Sequence, residues 1–309
     1  MFEYYKTKKH YHTLDYYLKS KYNKKVFKIP LNASFTCPNR DGTKSTGGCA
    51  FCSASGSGDF AGNPKENLLI QYNNVKDIMN QKWKDGYCIV YFQAFSNTYG
   101  SIDKLKSCFE PFINKENVIG MSIATRCDCI DESIVNYLKE LKTNFKEFWV
   151  ELGLQTTNTK TMELLNLKYT FKDFKRAVKL LNDAGIDVIA HIIDGLPNET
   201  KQDQINTILK INKLPIKGLK IHMLNIIDNT KIAHMYLNNE FKIIDKDEFI
   251  DIVTTQLSYL RDDIIIHRIG ADSNENDLIA PEWVRKKMSI MDEIDNTLKE
   301  KNIYQGEVI

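Results

Sequence analysis

The chain alternates between short apolar segments and longer segments with helical periodicity. The apolar segments are rich in β-branched and aromatic residues, and several are apolar throughout, as is typical of strands covered on both faces. Six of them occur, at residues 26–35, 87–95, 118–125, 147–155, 187–195 and 219–227. Strands that alternate with helices form parallel sheets with right-handed crossover connections. Because six units are fewer than the eight of a closed barrel, we expect an α/β fold with an open, partial (β/α)6 barrel of the TIM type.

The segments between the strands carry helix signals. The clearest lies at 170–185, where Thr170 is a candidate N-cap, Asp173 follows three residues later and Gly185 is a candidate stop. Its apolar residues recur on one face, which predicts an amphipathic helix packed on the sheet. Further helices are predicted at 64–86, 131–142 and 199–213, and in the last part of the chain at 246–263 and 280–302.

Three regions follow from this pattern: an N-terminal extension at 1–25, the partial barrel at 26–227 and a mostly helical C-terminal extension at 228–309. We expect the last region to pack on the barrel, since no linker or low-complexity segment precedes it. The first 30 residues contain eight lysines against Glu3 and Asp15, with tyrosines and histidines between them. Lysines beside aromatic rings are one way to hold RNA, and a solvated basic face is the alternative.

The composition narrows the class of protein. The chain has 309 residues, of which 42% are hydrophobic and 27% charged, as expected of a globular protein with a sizeable core. No run of about eighteen apolar residues is present, which predicts no membrane span. The beginning of the chain shows no secretory signal, so we expect a cytoplasmic protein whose seven cysteines are thiols or metal ligands.

Three cysteines follow the first predicted strand in a segment of small and polar residues. Eleven residues separate Cys37 from Cys49, and two separate Cys49 from Cys52. A loop after a parallel strand lies at the carboxyl edge of the sheet, where the sites of such folds form. Three thiolates would leave one iron of a cubane cluster without a protein ligand. The alternatives are unligated thiols or a zinc site with His10, His12 or another cysteine as fourth ligand.

Six separated motifs carry a resemblance to a known family. They are LNASFTCPNRDGTKSTGGCAFCSASGSGDFAG (31–62), YFQAFSNTY (91–99), IATRCDCI (123–130), ELGLQT (151–156), HIIDGLPNET (191–200) and YQGEVI (304–309). Together they resemble the radical S-adenosylmethionine (SAM) superfamily, and within it the YhcC/YtqA-type branch related to the catalytic subunit of Elongator. The commonest superfamily spacing has three residues between the first two cysteines, and the eleven found here suit this branch.

The resemblance implies the chemistry of the cysteine loop. Cys37, Cys49 and Cys52 would ligate a 4Fe-4S cluster, and S-adenosylmethionine would occupy the open iron. An electron from the reduced cluster, delivered by a donor such as flavodoxin or ferredoxin, would cleave S-adenosylmethionine to a 5′-deoxyadenosyl radical. That radical would remove a hydrogen atom from an unactivated carbon, while the barrel positions the reactants and excludes water.

The resemblance also points to cofactor contacts at the ends of the second to fifth predicted strands. Local hydrogen bonding in strand-end turns and structural ion pairs are the alternatives. His222, Asn225 and the segment 267–272 are weaker candidates, and Cys88, Cys108 and Cys127 are expected to be packing residues. The predicted cofactor-binding residues are Gln93, Ser96, Asn97, Thr98, Thr125, Glu151, Gln155, Asp194 and Gly195.

Three residues are candidates for catalysis. Arg126 offers a bidentate fork for a substrate or cofactor carboxylate. Glu151 is an acid within an apolar run, so it must be paired or lie at a site. His191 is either a site residue or a core histidine, and Asp194, three positions further along the strand, should face the opposite side.

The resemblance implies a function in tRNA modification. Members of the YtqA type look like enzymes that convert the carboxymethylaminomethyl group of the wobble uridine to aminomethyl. Hydrogen abstraction from the glycyl methylene, oxidation to an imine and hydrolysis form a plausible route, with Arg126 holding the glycyl carboxylate. The alternatives are a radical enzyme acting on a small molecule or peptide, and a non-radical iron–sulfur or zinc binding module. We expect tRNA and an electron donor as partners and no membrane contact; the sequence leaves the oligomeric state open.

Overall fold

The central sheet confirms the alternating pattern. The computed structural model describes residues 7, 9–56, 58, 60–270 and 276–309. Each strand of the first six pairs in parallel with the next one along the chain. The sheet curls into a half-barrel with helices on its outer face. The six strands are β1 (Val26–Leu31), β2 (Tyr87–Phe92), β3 (Val118–Arg126), β4 (Glu147–Gln155), β5 (Asp187–Asp194) and β6 (Gly218–Met223).

The C-terminal extension adds to the sheet. Beyond β6 the chain leaves the sheet and forms the short strand β7 (Ile226–Ile227), so the predicted sixth strand is divided in two. The sheet is one strand wider than predicted, because β8 (Ile265–Ile269) pairs in parallel with β6. Strand β8 was not predicted, because five residues are too few to show the alternation typical of a strand. The segments around it have helical periodicity. β9 (Leu278–Ala280) pairs antiparallel with β7 beside the sheet.

Each predicted helical segment contains one helix, and four further helices of the described residues were not predicted. The predicted cap is confirmed, since Thr170 and Asp173 form a capping box at the start of the sixth helix. None of the helices in the described ranges is long and apolar enough to cross a membrane. The helices are α1 (Leu14–Tyr22), α2 (Leu68–Lys82), α3 (Ile102–Phe109), α4 (Glu132–Lys142), α5 (Thr159–Leu164), α6 (Phe171–Asp183), α7 (Lys201–Ile211), α8 (Lys231–Leu237), α9 (Lys246–Tyr259) and α10 (Lys287–Glu300).

The N-terminal helix α1 closes the amino end of the half-barrel. Its buried Leu18 packs against residues from the first halves of four strands, namely Val26, Ile89, Trp149 and Ile189. These side chains form a small apolar cluster apart from the main core. The end of the barrel opposite to the cysteine loop is therefore filled by apolar side chains.

Polar side chains of α1 close the same end. Glu147, at the start of β4, is buried and accepts hydrogen bonds from Lys21 Nζ at 2.7 Å and from Tyr22 Oη at 2.6 Å. Tyr17 Oη donates to the same carboxylate at 3.4 Å. Tyr17, one of the tyrosines that the sequence offered as RNA contacts, is thus engaged in packing.

The other described groups of the basic N-terminal segment also have partners inside the protein. His10 stacks on Tyr304, with ring centroids 4.1 Å apart, and Tyr11 is buried. Tyr4, Tyr5, Lys6 and Lys8, which belong to the same predicted RNA surface, lie outside the described residues. Five of the six described lysines form ion pairs: Lys9 with Asp295, Lys19 with Asp15, Lys21 with Glu147, Lys25 with Asp15 and Lys28 with Glu151. Lys24 Nζ lies 5.1 Å from the centroid of the Tyr87 ring.

Candidate active site

A cavity of about 280 Å³ lies at the carboxyl ends of the strands, where the sites of parallel sheets form. All three cysteines of the loop line it, and its walls come from the ends of β2 to β6 and from β8. The structure thereby brings together most of the predicted site. The predicted residues that line the cavity are Cys37, Cys49, Cys52, Gln93, Ser96, Thr125, Arg126, Glu151, Gln155 and His191.

The cysteine loop is held by backbone hydrogen bonds to neighbouring elements. Ala50 N donates to Leu165 O at 2.9 Å, and Ala50 O accepts from Ile232 N at 2.9 Å. Asn39 Nδ2 donates to Asn166 O at 2.5 Å and lies 3.5 Å from Cys49 Sγ. The loop therefore has a defined path although it contains neither helix nor strand.

The three thiols form one group of donors. They carry no disulfide. Burial, together with the neighbouring Cys52, raises the pKa of the Cys49 thiol to about 12, and Arg126 acts in the opposite direction. In the described part of the chain, no three His, Cys, Asp or Glu side chains converge on one metal-ion position. A cubane cluster brings its own bridging sulfides, so three thiols around one cavity suit a cluster without meeting at one ion.

The two histidines suggested as fourth ligands of a zinc site lie elsewhere. His10 is stacked at the C-terminal segment, and its Nδ1 lies 2.9 Å from Ile303 O. His12 accepts a backbone hydrogen bond from Ile266 N at the start of β8, at the amino end of the barrel. Both histidines are therefore at the end of the sheet opposite to the cysteines.

Arg126 has a different setting from the one predicted. Its Nε and Nη2 donate to the two carboxylate oxygens of Asp128 at 2.9 Å each. Nη2 also donates to Leu167 O at 2.7 Å, and Nη1 lies 3.7 Å from Cys49 Sγ. The guanidinium group that was expected to hold a substrate carboxylate is thus occupied by Asp128. Arg126 connects the end of β3 to the cavity wall beside the cysteine loop.

Glu151 is the centre of a buried charge network that spans five strands. Its Oε1 accepts from Lys28 Nζ and Ser122 Oγ at 2.6 Å each. Its Oε2 accepts from Lys220 Nζ and lies 2.7 Å from His191 Nε2. Burial disfavours the charge, but Lys220, Lys28 and His191 together hold the pKa of Glu151 well below its usual range. The predicted pairing of this acid is therefore found, with partners from β1, β3, β5 and β6.

Lys220 is the main site residue that the sequence analysis missed. It is buried on β6, lines the cavity and lies 3.2 Å from Tyr91 Oη. Burial lowers the pKa of Lys220 to about 7, although Glu151 acts in the opposite direction. Its signal in the sequence is the same as that of Glu151: a charged residue in the middle of an apolar strand must have a partner.

The two histidines beside the network are neutral at pH 7. Burial, together with Lys220, lowers the pKa of His191 to about 4. Burial also lowers the pKa of His222 well below its usual range, and both rings line the cavity 5.2 Å apart. The positive charge at this end of the cavity therefore comes from lysine and arginine.

Four of the predicted cofactor contacts do not line the cavity. Asn97 Nδ2 donates to the backbone oxygens of the β2 and β3 ends, among them Ala124 O at 2.8 Å. Thr98 Oγ1 lies 2.6 Å from Thr125 Oγ1. These two side chains hold strand ends together, so the structure gives them a structural role rather than a direct contact with a bound molecule.

Asp194 and Gly195 are the other two predicted cofactor contacts that do not line the cavity. Asp194 faces away from His191, as strand alternation predicts, and accepts from Gln256 Nε2 at 2.8 Å. Burial raises the pKa of Asp194 to about 8. Gly195 has a φ of +75° and donates from its N to Gln204 Oε1 at 3.1 Å. Both residues shape the turn behind the cavity wall.

Comparison with known proteins defines the class. A family model for the radical SAM superfamily matches residues 37–211, beginning at Cys37, and one for the radical SAM C-terminal domain matches residues 216–300. The first match covers more than half of the chain. The chain belongs to the radical SAM superfamily.

Three known proteins are similar to this chain. The uncharacterized protein YtqA of Bacillus subtilis (strain 168) is 40% identical over 305 residues, which are 99% of this chain and 94% of YtqA. A tRNA uridine(34) acetyltransferase of Methanocaldococcus jannaschii is 26% identical over 157 residues, 50% of this chain and 28% of that protein. The structure of Methanocaldococcus infernus Elp3 lacking residues 1–46 shares the fold, with a TM-score of 0.68 at 15% identity, over 91% of this chain and 64% of that one.

Proposed function

We propose that this radical SAM enzyme binds a 4Fe-4S cluster and S-adenosylmethionine and acts on the wobble uridine of tRNA. In this proposal it converts the carboxymethylaminomethyl group of that uridine to aminomethyl. The observation that carries the proposal is that Cys37, Cys49 and Cys52 line one cavity with the buried Glu151–Lys220 network. Such a cavity offers a cluster site and a polar substrate site side by side.

The residues of the chain have separate roles in this proposal. The three thiols would hold the cluster, since they form no disulfide and line the same cavity. Together with S-adenosylmethionine, the bound cluster supplies the capacity to remove a hydrogen atom from an unactivated carbon. Gln93 and Gln155 offer amide groups on the wall for polar parts of the bound molecules. The apolar residues around them exclude water, which protects a reactive species.

The proposal that tRNA is the substrate is based on a similar protein and on the sequence motifs. Half of this chain is similar to part of a protein named tRNA uridine(34) acetyltransferase. The six motifs of the sequence resemble the YhcC/YtqA-type branch. Lys19, Lys21 and Lys25 give no support, because they have partners at the other end of the barrel. A flavodoxin or ferredoxin as electron donor is part of the same proposal.

The substrate is tested by mass spectrometry of tRNA nucleosides from cells that lack the gene. We expect carboxymethylaminomethyluridine to accumulate at the expense of the aminomethyl and methylaminomethyl forms. Complementation with wild type should restore the profile and Cys37→Ser should not. Cys108→Ser is the matched control, since Cys108 is a buried thiol on α3 that does not line the cavity.

Two further outcomes separate the parts of the proposal. An unchanged nucleoside profile, with reductive cleavage of S-adenosylmethionine retained by the purified protein, would indicate a small-molecule or peptide substrate. The cluster is tested by anaerobic reconstitution, with iron and sulfide content as the readout. A Cys37→Ser variant that retained a catalytically active cluster would contradict the assigned ligands.

A further inference from the structure

The sulfur of Cys49 accepts hydrogen bonds from two side chains. Arg126 Nη1 donates to Cys49 Sγ at 3.7 Å, and Asn39 Nδ2 donates to the same sulfur at 3.5 Å. Arg126 is the last residue of β3, whereas Asn39 belongs to the cysteine loop itself. The tertiary structure therefore brings two N–H donors, one of them a cation, to one of the three predicted cluster ligands.

The other contacts of Arg126 fix the direction in which its guanidinium points. Nε and Nη2 donate to the carboxylate of Asp128, and Nη2 also donates to Leu167 O. The centroid of the Tyr169 ring lies 4.8 Å from Cζ, and the whole side chain is buried. A planar guanidinium held at two of its nitrogens cannot turn, so Nη1 stays directed at the sulfur of Cys49.

The amide of Asn39 acts as a donor. The residue is fully buried, and its Nδ2 donates to Asn166 O at 2.5 Å as well as to Cys49 Sγ. Its Oδ1 is buried without a hydrogen-bond partner within the described ranges. Turning the amide over would place this oxygen against the carbonyl oxygen of Asn166, so that carbonyl fixes the orientation. The N–H groups are therefore the part of this amide that the fold uses.

Hydrogen bonds to the sulfur of a cluster ligand influence the reduction potential of the cluster. Reduction transfers one electron from the donor, a flavodoxin or ferredoxin, and adds one negative charge that the ligand sulfurs share. Fixed N–H groups and a buried cation stabilise the reduced state more than the oxidised state. Because Arg126 is buried, water screens its charge only weakly. Both donors should therefore raise the potential.

We propose that Arg126 and Asn39 are positioning residues that set the reduction potential of the cluster through their hydrogen bonds to the sulfur of Cys49. The inference rests on the proposed function for one point, that Cys49 is a cluster ligand, and it does not depend on the tRNA substrate. It gives Arg126 a role in place of the expected one, since Asp128 occupies the guanidinium face that was to hold a substrate carboxylate.

The test is a redox titration of the anaerobically reconstituted protein, with the EPR signal of the reduced cluster as the readout. Arg126→Gln removes the charged donor, and Asp128 then keeps Lys44 as its cation. Lys44→Gln is the matched control, because Lys44 pairs with the same carboxylate but has 39% of its side chain accessible.

We expect Arg126→Gln to shift the equilibrium at least about tenfold toward the oxidised cluster, which is about 59 mV for one electron. Lys44→Gln should shift it less than about twofold, since an exposed charge is screened by water. Equal shifts in the two variants, or a wild-type potential in Arg126→Gln, contradict the proposal.

The direction of the shift separates a lost hydrogen bond from a loosened loop. Water admitted by a loosened loop stabilises the more highly charged reduced state and raises the potential, whereas loss of a donor lowers it. Asn39→Leu is the second variant, and we expect at least about a threefold shift toward the oxidised cluster, since its hydrogen bond is a neutral one. A raised potential in either variant, or loss of the cluster in both, overturns the proposal and leaves the two residues a purely structural role.

Iron content and tRNA analysis distinguish this proposal from the proposed function. If wild type takes up no cluster, the assigned ligands and this inference fail together. If the potentials shift as expected but cells lacking the gene have unchanged tRNA nucleosides, the inference stands and the tRNA substrate is wrong. If wild type converts the tRNA while Arg126→Gln keeps the wild-type potential, the substrate is right and the inference is wrong.

Discussion

Two acids on the same strand show how different the two ends of the half-barrel are. Glu147 and Glu151 are four residues apart on β4, and both side chains are buried. Glu147 is held by α1, through Lys21 and two tyrosines. Glu151 is held by neighbouring strands, through Lys28, Lys220, Ser122 and His191.

The exposure of their lysine partners explains why Glu147 and Glu151 have different roles. Lys21 is half-exposed, with 46% of its side chain accessible, so the pair with Glu147 seals the amino end while one charge remains hydrated. Lys220 has 7% of its side chain accessible, so the pair with Glu151 keeps both charges away from water beside a cavity. An acid in an apolar strand therefore indicates pairing, and only the position of the partner separates closure from a site.

The largest expected effect is that of Glu151→Gln. This change leaves the buried Lys220 and the partly buried Lys28 without their shared anion, which costs about 3–5 kcal/mol of unfolding free energy. We also expect loss of turnover. Urea unfolding measures the first effect and nucleoside analysis the second.

Glu147→Gln is the matched control on the same strand. It should cost about 1 kcal/mol, because Lys21 can turn to solvent and the amide still accepts from the tyrosine. A loss equal to that of Glu151→Gln would remove the distinction between the two ends.

A third buried acid, Asp194, sharpens the comparison because no cation among the described residues is paired with it. The pKa of Asp194 is raised to about 8 by burial, so the folded protein keeps a proton that the unfolded chain releases near its ordinary pKa of 3.8. The contribution of Asp194 to the unfolding free energy should therefore fall as the pH rises from about 4 to about 8, by up to about 1.4 kcal/mol per pH unit.

Asp194→Asn should lack this slope. Unfolding free energies of the variant and wild type, measured across the pH range, give the difference directly. Asp183→Asn, at an exposed position with 59% of the side chain accessible, is the control and should follow wild type. Parallel curves for Asp194→Asn and wild type would show that Asp194 is ionised in the fold.

Leu18→Ala tests the apolar closure of the amino end. Leu18 packs against Val26, Ile89 and Trp149 in the cluster under α1. Removing a buried leucine side chain costs about 2–4 kcal/mol. The cavity lies at the other end, so we expect the reconstituted iron content to stay at the wild-type level. A loss of iron binding at equal folded fraction would show that the two ends are coupled.

The smallest effect is expected for Lys19→Ala. Lys19 has 60% of its side chain accessible and pairs with the half-exposed Asp15. The exposed pair contributes about 0.3–0.5 kcal/mol at most. Because α1 lies opposite to the cavity, tRNA affinity should also stay near that of wild type in a filter-binding titration. A clear decrease in tRNA affinity would support the RNA-binding surface that the lysine pattern indicated.

Local pattern determined a large part of this fold. The alternation of apolar and helical segments identified six strands and the half-barrel, since strand–helix order dictates a parallel sheet. The three cysteines follow β1, and the loop after a parallel strand must lie at the carboxyl edge. Both inferences need only neighbouring residues and the direction of the chain.

The partners of the charged residues were decided by the tertiary structure alone. Lys28 lies 123 positions before Glu151, and Lys220 follows it by 69. Whether these side chains meet depends on the register of strands that are distant in the sequence and on the inward direction of each residue. The same holds for β8, whose five residues became a strand because β6 offered an open edge. A local pattern specifies which residues need partners, and the three-dimensional packing of the strands chooses them.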